Sequence, residues 1–425
     1  MRGLMKSKHK KTNEIEYLLY IMSLSLLLMS FLFGNINDIF NGFIKILASP
    51  SNLLTDYMKV GGVSAAFFNA FTIMMFSIFT SKYVKKELYG AEVAAIILVT
   101  GFSFFGKNIF NSFPLSIGVF IYAKLKNKNL GDYILQSLYV TALAPIVSII
   151  TFNLNLPILI DIILAYTVGI IIGLIITPLS ISFLKFHKGY NLYNIGFTGG
   201  VIAMLTVGIM RMFNIKVDSV SILYKGSDLS IKIYIFSLFI FMIIYSFLRD
   251  KYIISKYKLL LNNVGKLPSD YINLHGFYTT LLNMGLMGII ASLFVIIVGG
   301  IFNGPVVGGI LSVSAFSAYG KHPKNSIPIF IGVLIAGTLN IHEPSSTASI
   351  LAGLFGTTLS PITGEYGIIG GIFAGFSHMA VVFNVGYLYG GANLYNNGFS
   401  GGFVAAILVP IYDEIREFKK NLIET

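Results

Sequence analysis

Several polar groups in this chain stand where apolar residues would be expected, and most of them occur twice. GKNIFNSFP (Gly106 to Pro114) and GKHPKNSIP (Gly320 to Pro328) each combine a glycine, a lysine, an amide and a proline. NLYNIGFTGG (Asn191 to Gly200) and NLYNNGFSGG (Asn393 to Gly402) each set two asparagines ahead of three glycines. Asn69 and Asn283 are single amides inside apolar runs. Amides and ammonium groups recognise solutes by hydrogen bonding and charge. The candidate solute ligands are therefore Asn191, Asn194, Asn393, Asn396, Asn111, Asn325, Asn69 and Asn283, with Lys107 and Lys321 suited to an anion. Each type also has a plainer use. Amides tie helices together, and lysines at loop tips snorkel toward water, as the turn-like KHPK (321 to 324) suggests.

Carboxylates are scarcer. PILID (157 to 161) and PITGE (361 to 365) share Pro-Ile-x-x-acid, which makes Asp161 and Glu365 candidates for proton or cation coupling. Both also lie near the ends of apolar segments, where an exposed carboxylate costs little. His378 follows Glu365 by thirteen residues, about 20 Å along a helix. A histidine at that depth either titrates in a coupled cycle or bonds to a neighbouring helix. The six histidines show no metal-ligand spacing. Neither a Walker sequence nor a Gly-x-Ser-x-Gly elbow is present, so no cofactor and no enzymatic activity are expected.

These groups must be held by membrane helices. The 425 residues are 55% hydrophobic and 11% charged, against about a quarter charged in soluble domains. Runs such as Tyr17 to Phe33, Ile233 to Leu248 and Thr279 to Val298 carry no charge and approach or reach the ~20 residues a helix needs to cross a bilayer. The first run follows a basic start but is too long for a signal h-region and lacks a cleavage site, so it reads as a retained span. The net charge of +12 is distributed in short clusters between apolar runs, among them KYVKK (82 to 86), KLKNK (124 to 128), KFHK (185 to 188) and REFKK (416 to 420). That is the positive-inside pattern and excludes a nucleic-acid partner. It predicts a cell-membrane, multi-pass protein of about fourteen segments, with both termini cytoplasmic and the turn NLNLP (153 to 157) outside. Zero cysteines exclude disulfides.

The sequence repeats itself. An offset of 214 pairs Tyr20 with Tyr234, Asp56 with Asp270, Gly62 with Gly276, Asn69 with Asn283 and Gly106-Lys107 with Gly320-Lys321. After a shortening of about a dozen residues, the two Asn-Leu-Tyr-Asn elements align at an offset of 202. Seven segments per half is an odd number, which inverts the second half relative to the first. The expected fold class is an all-α polytopic membrane protein of two inverted-topology repeats with broken or re-entrant helices. Its expected parts are a cytoplasmic tail (1–16), repeat 1 (17–212), a linker (213–230), repeat 2 (231–412) and a second cytoplasmic tail (413–425). Inverted repeats are characteristic of transporters, with the solute site where the halves meet.

FGKNIFNSFP, SPITGEYG and NLYNNGFSGG together resemble a family of multi-pass bacterial membrane proteins that carries only a domain-of-unknown-function label, over nearly the whole chain. That resemblance implies class but no substrate. GYNLYNIGFTGG is more distantly similar to the Gly-Tyr-Asn-Gly element of urea transporters, which are also inverted repeats; the Leu-Pro-x-x-Thr-x-Pro-Phe signature of that family does not follow here. The expected function is transport of a small polar or anionic solute, proton- or cation-coupled. The alternatives are a passive urea-like channel for a small neutral solute and a membrane-embedded enzyme or assembly factor. The expected partners are a small-molecule or ion substrate and the lipid bilayer. Glycine-rich faces can pack helices within one chain or between copies in a homo-oligomer.

Overall fold

The computed structural model describes all residues except 1, 53, 86, 155, 340, 341, 395 and 425, and only the backbone of 2–13 and 424. Lys86 of KYVKK, Asn155 of NLNLP, Tyr395 of the second Asn-Leu-Tyr-Asn and the side chains of the basic N-terminal start therefore lie outside the described residues. The first half of the chain contains α1 (Arg2–Phe33), α2 (Ile36–Leu47), α3 (Tyr57–Val60), α4 (Val63–Val84), α5 (Gly90–Phe102), α6 (Ile109–Leu125), α7 (Ile134–Tyr139), α8 (Ala144–Asn153), α9 (Ile158–Leu184) and α10 (Asn194–Met212). The second contains α11 (Leu229–Arg249), α12 (Ile253–Leu260), α13 (Tyr271–His275), α14 (Phe277–Ile297), α15 (Gly304–Phe316), α16 (Pro323–Thr338), α17 (Thr347–Gly356), α18 (Ser360–Tyr389) and α19 (Asn396–Glu424). Among the described residues, sheet structure is limited to isolated bridges such as Thr55 with Ile222.

Nine helical stretches among the described residues are long and apolar enough to cross a membrane. The expected fourteen segments resolve into these and several shorter pieces, for local reasons. The first apolar run ends at Phe33, and Asn35 then caps α2 and exchanges hydrogen bonds with Asp38. The capped α2 has one buried side, with Ile39, Gly42 and Ile46 covered and Ile36, Phe40 and Ile44 exposed. α5 and α15 have 13 residues each, about 20 Å of helix against ~30 Å of hydrocarbon.

Element starts recur at fixed spacing: α4 and α14, α5 and α15, and α6 and α16 all begin 214 residues apart, and α10 and α19 begin 202 apart. Left-handed backbone recurs with them. Gly62 (φ 90°) matches Gly276 (87°), Ser51 (60°) matches Gly265 (82°), and Lys188-Gly189 (51°, 80°) matches Gly390-Gly391 (52°, 83°).

α5 and α15 form the centre. They pack against each other closely enough that a methyl on Gly101 would lie 2.9 Å from the Gly308 carbonyl oxygen. Each is anchored by a carboxylate from the other half. Asp56 accepts from Gly304 N–H at the start of α15 (3.1 Å), and Asp270 accepts from Gly90 N–H at the start of α5 (2.9 Å). Around this pair the stretch Leu130–Asn153 is nearly all interior, whereas Ile158–Leu184 is mostly at the surface. The apolar periphery includes exposed Ile163, Ile171 and Ile181 on α9 and Ile233, Ile240 and Ile244 on α11. A polytopic protein places such faces against lipid.

Candidate functional site

Each lysine of the repeated Gly-Lys pair sits in a turn between two short helices, and both are buried. Lys107 is 2% exposed and Lys321 is 0% exposed. The expected cytoplasmic turn at KHPK is therefore corrected: Lys321 and His322 are interior, because α15 stops well inside the molecule and Pro323 starts α16 there. The ammonium of Lys107 donates to Thr141 Oγ1 (2.5 Å) and that of Lys321 donates to Thr357 Oγ1 (2.7 Å). Lys321 also lies over the Phe316 ring, 4.9 Å from its centroid. Among the described residues neither lysine has a carboxylate partner, although ion pairs exist elsewhere, such as Lys85–Glu92. An ammonium in such surroundings is costly unless it is compensated.

The amides hold these turns. Asn69 Nδ2 donates to the carbonyls of Ser103 (2.7 Å) and Lys107 (2.9 Å), and Asn283 Nδ2 donates to those of Ser317 (2.8 Å) and Lys321 (2.7 Å). A broken helix leaves such carbonyls without intrahelical partners, and one amide reaches both. Asn111 Nδ2 bonds to Gly106 O (3.0 Å) and Ser148 Oγ (3.0 Å); Asn325 Nδ2 bonds to Gly320 O (2.9 Å). Their oxygens accept from the N–H of the helix-capping residues, Asn108 and His322 respectively (2.9 Å each). These four amides thus position the lysines by bonding to the backbone.

The Asn-Leu-Tyr-Asn elements close the site from the opposite half. Leu192 N–H donates to Thr358 O and Leu394 N–H donates to Ala142 O, both at 3.0 Å, each next to the threonine that holds a lysine. A methyl on Gly320 would lie 2.5 Å from Leu192 Cδ2, and one on Gly106 would lie 2.4 Å from Leu394 Cδ2. Each lysine turn is thereby walled by the motif of the other half, with Tyr139, Tyr193, Phe102 and Phe316 in contact between them.

Asn191 and Asn194 do not share a helical face. Asn191 precedes α10 and bonds to Gly398 O across the halves (2.9 Å), while Asn194 begins the helix and bonds to Ser180 O (2.8 Å) and to His187. Asn393 likewise precedes α19, and Asn396 begins it. The glycines behind them make the crossing of α10 and α19, where Gly200 faces Phe399, Gly402 faces Phe197 and the two rings stack at 5.5 Å.

The coupling candidates are dispersed. Glu365 pairs with Arg416 (2.9 Å) at an exposed position. His378 is buried and its Nε2 meets Asn397 Oδ1 at 2.9 Å. Asp161 is 3% exposed, with no partner for Oδ1 among the described residues. The pairing of PILID with PITGE is also corrected. Pro361 occupies the first turn of α18 as Pro145 does in α8, and TTLSPI (357 to 362) matches TALAPI (141 to 146) at an offset of 216. That match was the available signal for Thr141 and Thr357, which the polar-motif reading missed. It also missed the part of His322 as a cap.

The profile of a single protein family matches residues 35–212 and 249–414, more than half of the chain and both lysine turns. The chain belongs to the DUF1576 family of proteins of unknown function. The matched stretches include both Asn-Leu-Tyr-Asn elements and leave out residues 213–248, which hold α11 up to its last residue. No curated protein and no solved structure matches the chain.

Proposed function

We propose that this DUF1576 protein is a transporter for a small anionic or strongly polar solute, with its site at the interface of two inverted repeats. The observation that carries the reading is the pair of buried lysines, each bonded to one threonine hydroxyl and to no carboxylate among the described residues. An anion beside either turn would compensate the charge of that lysine. The inverted reading is supported by two crossed pairs of bonds between the halves, each with a counterpart running the opposite way: Asp56 to Gly304 against Asp270 to Gly90, and Leu192 to Thr358 against Leu394 to Ala142. In that arrangement α5–α6 and α15–α16 are re-entrant hairpins that dip in from opposite faces and pass side by side, so that each lysine turn lies beside the start of the other hairpin. The face that carries Lys82–Glu16, Lys188–Asp413 and Arg416–Glu365 is the cytoplasmic one by the positive-inside bias. Asp161 is the coupling residue with the best claim, because its carboxyl is buried without an ionic partner among the described residues.

The test uses purified protein with acetate, succinate, phosphate and urea as probes. A bound anion stabilises wild type as its concentration passes Kd, by about 2.7 kcal/mol at a hundredfold excess over Kd, which is read as a rise in Tm, and Lys107→Met with Lys321→Met abolishes the rise. In liposomes, accumulation of the same anion against its gradient separates a coupled transporter from a channel. Stabilisation and flux by urea alone, equal in wild type and the double variant, would replace this reading with a channel for neutral solutes.

A further inference from the structure

The two lysine turns differ at one chemically decisive position. The residue that caps α6 is Asn108, whose Oδ1 accepts from Asn111 N–H (3.1 Å). The residue that caps α16 is His322, whose Nδ1 accepts from Asn325 N–H (3.3 Å) while Nε2 lies 2.9 Å from the backbone oxygen of Asn263. A carbonyl oxygen only accepts, so Nε2 carries the proton, and the cap requires a lone pair on Nδ1. The imidazole is thus fixed as one neutral tautomer by two separate bonds. Adding a proton to Nδ1 converts the acceptor into a donor aimed at another N–H.

We infer that His322 is the proton-responsive residue of the site: protonation at Nδ1 uncaps α16 and releases the turn that carries Lys321. Asn108 cannot titrate, so the Lys107 turn has no such response. The hydrogen bonds continue outward. Asn263 Nδ2 donates to Nε2 of the half-buried His275 (2.8 Å), the last residue of α13, so the residue that accepts from His322 Nε2 is itself tied toward the surface. The other titratable or charged groups around His322 are Lys321 beside it, Lys324 at the second position of α16, and Tyr271, whose hydroxyl donates to Gly320 O (3.0 Å). On the loop from Asn263, Lys266 lies over the Tyr190 ring (4.3 Å), and Asp270 is engaged with Asn273 and Gly90 N–H. The two lysines oppose a third positive charge in the closed turn, so protonation favours the opened one. The inference rests on the transport reading for its physiological meaning, whereas the uncapping itself stands on the local geometry.

Hydrogen–deuterium exchange of the full chain in nanodiscs, followed from pH 7.5 to 5, tests it. The readout is the exchange of peptides covering 320–328 divided by that of peptides covering 106–114, a ratio that cancels the pH dependence of intrinsic exchange. In wild type this ratio rises by up to tenfold per pH unit below about 6.5, the ordinary histidine range. His322→Asn, which copies the cap of the other turn, keeps the fold and holds the ratio flat. A flat ratio in wild type, or the same rise in wild type and His322→Asn, overturns the inference. Because exchange is read without any solute, its failure is distinct from failure of the anion-binding experiment.

Discussion

The Lys107 and Lys321 turns are built alike and finished differently. In both, one buried amide from the preceding long helix reaches two turn carbonyls, one threonine holds the ammonium, and one leucine from the opposite half covers the glycine. The differences are in the surroundings. Asn283 Oδ1 accepts from Tyr257 OH (3.3 Å), whereas Asn69 Oδ1 has no partner among the described residues. The cap is His322 in one turn and Asn108 in the other. What is duplicated is the means of ending a helix in the interior of the protein, where every freed carbonyl needs a donor. What has diverged is the residue that caps the helix after each turn.

The largest effect should come where the comparison predicts equality. α6 lies on α9 through Gly118, and α16 lies on α18 through Gly332, backbone against backbone. A methyl at Gly118 would lie 2.2 Å from Ile170 O, and one at Gly332 would lie 2.0 Å from Ile372 O. Gly118→Ala and Gly332→Ala should each cost about 3 kcal/mol or more, since neither neighbour can rotate away. Gly199→Ala is the control: its methyl would meet Leu143 at an ordinary 3.7 Å, and a helical alanine is preferred to glycine by about 1 kcal/mol. Thermal unfolding in one detergent ranks the three. Loss at only one of the two crossings would show that the halves do not share this support.

The next effect is smaller and should be unequal. Asn283→Ala strands two buried carbonyls and the Tyr257 hydroxyl, and should cost about 2–4 kcal/mol; Asn69→Ala strands two carbonyls and removes an already unpaired oxygen, and should cost about 1–3 kcal/mol. Equal losses in denaturant unfolding would mean that the bond to Tyr257 contributes nothing.

Much of this arrangement could be read from residue types. The offsets of 214 and 202 predicted matching helix starts, and Gly106, Lys107, Asn69 and their partners marked where helices would break. The burial of Lys321 could not be read, because KHPK has the composition of an exposed turn and its depth is set by where α15 ends. The spacing change hid Thr141 and Thr357. The first half spends residues 144–157 on α8 and a turn before α9, whereas the second runs through α18 with only a kink at Gly367 (φ 84°). The short Pro-Ile-x-x-acid match passes over that difference and pairs Asp161 with Glu365, residues that the structure places in unlike surroundings, one buried and one ion-paired at the surface.

The smallest effect concerns the two carboxylates that cross between halves. Asp56 lies before α3 and accepts from Met58, Tyr224 and Gly304 N–H (2.9, 3.0 and 3.1 Å); Asp270 lies before α13 and accepts from Asn273 and Gly90 (2.9 Å each). Burial raises both carboxyls from their ordinary range, Asp56 to about 6, with the N–H donors opposing it in each case. A carboxyl raised in the folded state adds stability that is complete below its unfolded value of 3.8 and is lost as pH rises through about 6. Stability should therefore fall between pH 4 and 6 by up to about 1.4 kcal/mol per pH unit from Asp56 alone. Asp56→Asn should remove that slope while lowering Tm at every pH, because its amide nitrogen cannot accept from Tyr224 and Gly304 together. Asp270→Asn should change the slope less, since Asp270 is less deeply covered. If Tm plotted against pH keeps its slope in Asp56→Asn, another group titrates in that window, and the two crossings are equivalent in charge as well as in geometry.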